Sequence, residues 1–132
     1  MATGRLNHYT LRCSVPGLAP LLDFYTRVLG LSVGARPDIP APGYWLYSEG
    51  LAVVHLYAIG DPEGAAPGPT ATGGLDHISF SATGVQATRA HLGALGVPYD
   101  EAPVPGWPLH QVFLHDPSGL KVELTFSLND QT

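Results

Sequence analysis

Three histidines and one glutamate of this chain fall at places where the sequence repeats itself. Leu6-Asn7-His8-Tyr9-Thr10-Leu11 returns as Leu75-Asp76-His77-Ile78-Ser79-Phe80, an offset of 69 from His8 to His77. Gly50-Leu51-Ala52-Val53-Val54-His55-Leu56 returns as Gly119-Leu120-Lys121-Val122-Glu123-Leu124, an offset of 68 from His55 to Glu123. Each copy thus puts one potential metal ligand on its first strand and one on its last. Imidazole and carboxylate donors without cysteine suit Zn, Ni, Co, Fe or Mn and do not choose among them. A lone strand histidine is an ordinary core residue. Four candidates at repeat-matched positions point instead to one ion held by His8, His55, His77 and Glu123, with positions left open for water or substrate.

The elements that would carry these side chains follow from periodicity. Residues 5–13 alternate as a strand, with Leu6, His8, Thr10 and Arg12 on one face. Leu18 to Leu29 has helical spacing and ends at Gly30. Leu31 to Arg36 is a short strand, and Pro37 to Gly43 a loop. Tyr44 to Ser48 and Leu51 to Tyr57 form a hairpin across Glu49-Gly50. Residues 59–74 read as a Gly/Pro-rich linker. The second copy runs strand 75–82, helix 85–95, short strand 97–100, Pro-rich loop 102–108 and a hairpin of 110–114 with 120–126 across Asp116-Pro117-Ser118-Gly119. On its last strand Lys121, Glu123 and Thr125 face away from Val122, Leu124 and Phe126. A carboxylate on a sheet concavity is costly unless paired or metal-bound.

Composition bounds the rest. At 132 residues, 45% hydrophobic and 13% charged, the chain reads as one globular domain, modules 5–58 and 75–127. Net charge is −5 and the basic residues are scattered, so no nucleic-acid footprint or polybasic membrane patch is expected. Residues 1–5 lack an apolar signal core, and Cys13 has no intrachain partner, so a cytoplasmic location is expected. Cys13 reads as a small buried hydrophobe.

Taken together, Leu6-Asn7-His8, Asp23-Phe24-Tyr25 with Val28-Leu29-Gly30-Leu31, Asp76-His77-Ile78, and Asp116-Pro117-Ser118-Gly119 with Val122-Glu123-Leu124 resemble the vicinal oxygen chelate superfamily. That group includes glyoxalase I, extradiol dioxygenases, fosfomycin-resistance transferases and bleomycin-binding proteins. The resemblance implies an α+β fold of two tandem βαβββ modules forming a partly closed mixed sheet around a metal. It does not fix the reaction.

In glyoxalase I the four ligands come from the positions of His8, His55, His77 and Glu123, with Glu usual where this chain has His55. The reaction implied is lyase or isomerase chemistry on a small oxygen-chelating substrate, through a metal-stabilised enediolate, with Glu123 moving the proton. Arg12 matches a position that helps hold glutathione. The extradiol alternative uses His8, His77 and Glu123 as a facial triad and His55 as acid/base. It expects a tyrosine where Phe113 stands. A thiol transferase would share the triad and Thr10, but lacks C-terminal cationic groups here; a drug-binding resistance protein ranks last. Trp45, Tyr47, Trp107, His110 and Phe113 are candidates to contact substrate. His91 and His115 read as solvated. A homodimer is expected, to cover sheet edges and a concave face.

Overall fold

The structure is a computed structural model that describes residues 1–2, 5–59 and 75–129. The chain divides into two compact units, residues 1–65 and 66–132. The expected linker, apart from Ile59, lies outside the described residues.

In the first unit β1 (Tyr9–Arg12) leads into α1 (Val15–Asp23), and then come β2 (Ser32–Gly34), β3 (Gly43–Ser48) and β4 (Leu51–Tyr57). The sheet order is β1-β4-β3-β2, with β1 parallel to β4 and the other pairs antiparallel. Ser14 starts the helix: its Oγ accepts from Gly17 N at 3.1 Å, and Pro16 occupies the first turn, where a missing N–H costs nothing. The helix expected from Leu18 to Leu29 is real but changes pitch. Phe24–Val28 is a π-helical turn, and Leu29 N–H reaches back to Phe24 O at 3.0 Å. The wider turn puts Phe24, Tyr25 and Val28 all into the core with Leu18 and Leu21. Leu46, Val54 and Leu56 are the buried apolar residues of the sheet. The strand expected over residues 5–13 is shorter, so His8 precedes β1 and does not lie within it.

The β3–β4 connection is the two-residue turn anticipated. Glu49 (φ 52°) and Gly50 (φ 79°) are both left-handed, which matches the twist of a hairpin. A bulge at Leu46/Tyr47 shifts the register, so that Trp45 pairs with His55 while Tyr47 pairs with Ala52.

The second unit repeats this order with β5 (His77–Ala82), α2 (Val85–Leu95), β6 (Asp100–Pro103), β7 (Leu109–His115) and β8 (Lys121–Ser127). Its sheet runs β5-β8-β7-β6, again with one parallel pair. The helix bounds match expectation, and Gly96 closes it at φ 66°. The second strand of this unit begins later than expected, so Ala102 and Pro103 belong to β6 and the loop shrinks. Asp116 shapes the β7–β8 turn: its Oδ1 accepts from Ser118 N (2.8 Å), Ser118 Oγ (2.6 Å) and Leu120 N (2.9 Å) while only 4% exposed. Val112, Leu114, Leu120, Val122 and Phe126 are buried with Leu92 of α2. The architecture is α+β, with one four-stranded mixed sheet in each unit.

Candidate functional site

Each sheet carries one face populated by the candidate residues. In the first unit, Thr10 pairs with His55 and Arg12 with Tyr57, which sets the exposed Arg12 on the same face as His55. His55 is sandwiched. The His8 ring stacks on one side at 3.8 Å between centroids and the Trp45 ring at 4.0 Å, tilted by 14° and 8°. His55 Nε2 donates to Ala52 O at 3.1 Å, so the free lone pair of the neutral ring is on Nδ1. Burial, then the neighbouring His8 and finally Arg36 lower the His55 pKa, against a smaller raising effect of the Ala52 carbonyl. His8 is fixed differently: its Nδ1 donates to Asn7 Oδ1 at 2.7 Å.

Beside these rings opens a cavity of ≈ 440 Å³, whose lining includes Arg5, Leu6, His8, Trp45, Tyr47 and Leu51. That volume falls within the range of small-molecule sites. Tyr47 Oη donates to Ala35 O at 2.6 Å, and its ring lies so close over Gly34 that a Cβ there would stand 2.5 Å from Cε1. Glycine at position 34 is what lets that wall form.

The second unit builds a carboxylate site. Glu123 is 6% exposed and saturated with donors: Ser79 Oγ at 2.9 Å and Thr125 Oγ1 reach Oε2, and Gln111 Nε2 reaches Oε1 at 3.2 Å. Burial alone would raise its pKa. The hydroxyls of Thr125 and Ser79, with His77 and Gln111, outweigh that and hold the carboxyl below its ordinary value. His77 Nδ1 donates to Asp76 Oδ2 at 2.7 Å, and Lys121 Nζ ties the same oxygen at 3.0 Å. His77 Nε2 stands 3.4 Å from Glu123 Oε1. With its proton on Nδ1, the neutral ring leaves the Nε2 lone pair close to a carboxylate oxygen. That contact is repulsive until a proton or a cation lies between them.

Two donors about 2.1 Å from one ion at a tetrahedral angle stand about 3.4 Å apart, so the His77–Glu123 pair fits a transition-metal ion. Among the described residues no three His, Cys, Asp or Glu gather as a complete metal site. The four candidates form two pairs, His8 with His55 and His77 with Glu123. The donor chemistry fits for Nε2 of His8 and of His77 and for Glu123. His55 fits only through Nδ1, because its Nε2 already serves Ala52.

The other candidates divide. Phe113 pairs with Glu123 across the ladder and lies under the Lys121 ammonium, 5.7 Å from the ring centroid. His110 alternates to the opposite face of β7 and meets Glu101 at 3.3 Å, where Arg89 of α2 also binds at 3.0 Å. The structure therefore does not bring His110 to Glu123. Trp107 is in the β6–β7 connection, 69% exposed. Asn7, Asp76, Ser79, Gln111 and Thr125 were not among the expected site residues. The shared face of Ser79 with His77, and of Thr125 with Glu123, was the available signal.

A family model described as the glyoxalase/bleomycin resistance protein/dioxygenase superfamily matches residues 5–124. The chain belongs to that superfamily. It is 32% identical to a protein named glyoxylase I 4 of Arabidopsis thaliana, with 90% of this chain and 68% of that one covered. Among solved structures it is similar to a putative glyoxalase family protein of Bacillus anthracis (TM-score 0.75, 15% identity, 96% and 98% covered). It is also similar to lactoylglutathione lyase of Agrobacterium tumefaciens (TM-score 0.67, 19% identity, 98% of both covered). At those identities the solved structures speak for the superfamily's fold, and the reaction has to be argued from the site. No described helix is long and apolar enough to cross a membrane.

Proposed function

We propose that the chain is a divalent-metal-dependent enzyme of the glyoxalase type, a lyase or isomerase acting on a small substrate that chelates through oxygen. The observation that carries this reading is the approach of His77 Nε2 to Glu123 Oε1 at 3.4 Å, a spacing that suits two ligands of one ion. His8 would complete the donor set through Nε2, and His55 would join only by turning Nδ1 to the ion. The metal's contribution would be to polarise a substrate carbonyl and acidify the adjacent C–H.

The chain's own residues would do the rest. Ser79, Thr125 and Gln111 keep Glu123 ionised and aimed. As the proton carrier, Glu123 would gain basicity by shedding one of those hydroxyl bonds. Trp45, Tyr47 and Leu51 would offer the substrate apolar walls, and Phe113 would lie beside the carboxylate. Arg12 would attract a negatively charged substrate group. A homodimer would cover the sheet edges at β1, β2, β5 and β6.

A second reading is favoured by one observation. His55 is held between two rings and bonded to Ala52; with His55 set aside, the proposed ligands would be two histidines, His8 and His77, and one carboxylate, Glu123. That set is suited to an Fe(II) ring-cleaving dioxygenase with His55 as acid/base. The readings separate in one assay series. Hemithioacetal turnover under Ni or Zn supports the lyase; oxygen uptake with a catechol under Fe(II) supports the dioxygenase. Absence of both activities across all metals would sink both.

A further inference from the structure

We infer that Asn7 and Asp76 are positioning residues that fix the Nδ1–H tautomer of His8 and His77, so that each ring presents Nε2 as its free donor. The inference deepens the reading of these histidines as metal ligands and rests on it for its purpose. The clamp itself can be tested without metal.

The same contact occurs twice. Asn7 Oδ1 and Asp76 Oδ2 each accept from Nδ1 of the following histidine at 2.7 Å. Neighbouring side chains within a pleated strand point to opposite faces and cannot meet this way. The bonds form because both clamping residues lie ahead of their strands: β1 begins at Tyr9 and β5 at His77. A carboxylate can only accept, so His77 Nδ1 must carry the proton; the Asn7 carbonyl imposes the same choice on His8. A solvated histidine side chain in water prefers the proton on Nε2, the nitrogen that would have to bind metal. Each clamp therefore reverses the intrinsic preference.

The clamps also differ by one charge. Asn7 is neutral. Asp76 is anionic and anchored by Lys121 Nζ at 3.0 Å, while Lys121 lies over Phe113. Asp76, anchored in this way, holds the imidazole through Nδ1 and enriches its electron density, as hydrogen-bonded carboxylates do for metal-bound histidines. The His8 ring gets its plane from stacking on His55 instead.

The test is long-range ¹H–¹⁵N NMR of the histidine rings in metal-free protein, above the titration range of imidazole, together with a Ni(II) titration. The inference expects pyrrole-type Nδ1 and pyridine-type Nε2 for both residues in the wild type. Asp76→Ala should move His77 toward the Nε2–H form and leave His8 unchanged; Asn7→Ala should do the reverse. Asp76→Asn and Asn7→Asp retain an acceptor and should restore the wild-type pattern, which a merely structural role would not require. Ni(II) affinity should fall about 10–100-fold in each alanine variant. Nε2–H rings in the wild type, or ring patterns unmoved by the alanine variants, would overturn the inference. Tautomers that shift as expected in a protein that binds no Ni(II) would uphold the clamp and defeat the metal reading.

Discussion

The two units answer one structural question with different chemistry. At matched places on their last strands, β4 carries His55 and β8 carries Glu123. Around His55 the first unit collects rings, His8 and Trp45, and the imidazole is buried by stacking. Around Glu123 the second unit collects hydroxyls and an amide, and the carboxylate is buried by hydrogen bonding. The difference follows from what each buried group needs. A neutral imidazole tolerates apolar cover, whereas an ionised carboxylate requires several donors before burial is tolerable. Duplication supplied the positions, and substitution around them gave one copy an aromatic wall and the other an anionic centre.

The largest effect that could break this contrast is on metal affinity. Glu123→Ala should lower it by roughly 100-fold or more, beyond what loss of a merely supporting residue costs. His55→Ala should change it by less than about 10-fold, below the range of such supporting residues, if His55 stands outside the ion's reach. Competition titration with Ni(II) reads both, and equal losses would erase the asymmetry.

Next is stability, through the two hairpin turns. Asp116→Ala strands the N–H groups of Ser118 and Leu120 and should cost about 1–3 kcal/mol in chemical denaturation. Glu49 is a non-glycine residue at φ 52°, so Glu49→Gly should gain at most about 1 kcal/mol. The first hairpin turns by backbone conformation, the second by one side chain.

The smallest effect sharpens the aromatic side. The lowered His55 pKa means the unfolded chain takes up this proton more readily than the folded one. Its contribution is therefore present above the ordinary imidazole value, about 6.5, and is lost as pH falls from there toward the depressed folded value. Trp45→Ala removes one stacked ring and should flatten that slope in denaturation curves taken across this range. An unchanged slope would show that the stack does not bury His55.

Much of this was legible in the sequence. Hairpin signals located β4, β7 and β8, and Gly96 marked the end of α2. The π-turn at Phe24–Val28 was not visible, because its buried residues also fit an ordinary helix. The stack on His55 depends on the bulge at Leu46/Tyr47, and a register shift of that kind leaves no residue signature. His110 is more instructive. Its alternation with Val112 and Leu114 already set it on the buried face, but its closeness to the Trp107 loop suggested substrate contact. The structure sets it beside Glu101, on the face that this periodicity implies. The clamps at Asn7 and Asp76 went unseen because they break that same periodicity at the strand entrances.

The central question is whether His77 and Glu123 together bind a cation. Calorimetric titration of metal-free protein with Ni(II), beside His77→Ala and Glu123→Ala, tests this most directly. One ion per chain in the wild type, with affinity reduced by roughly 100-fold or more in both variants, is the predicted result. No binding in the wild type, or binding indifferent to both substitutions, would contradict it.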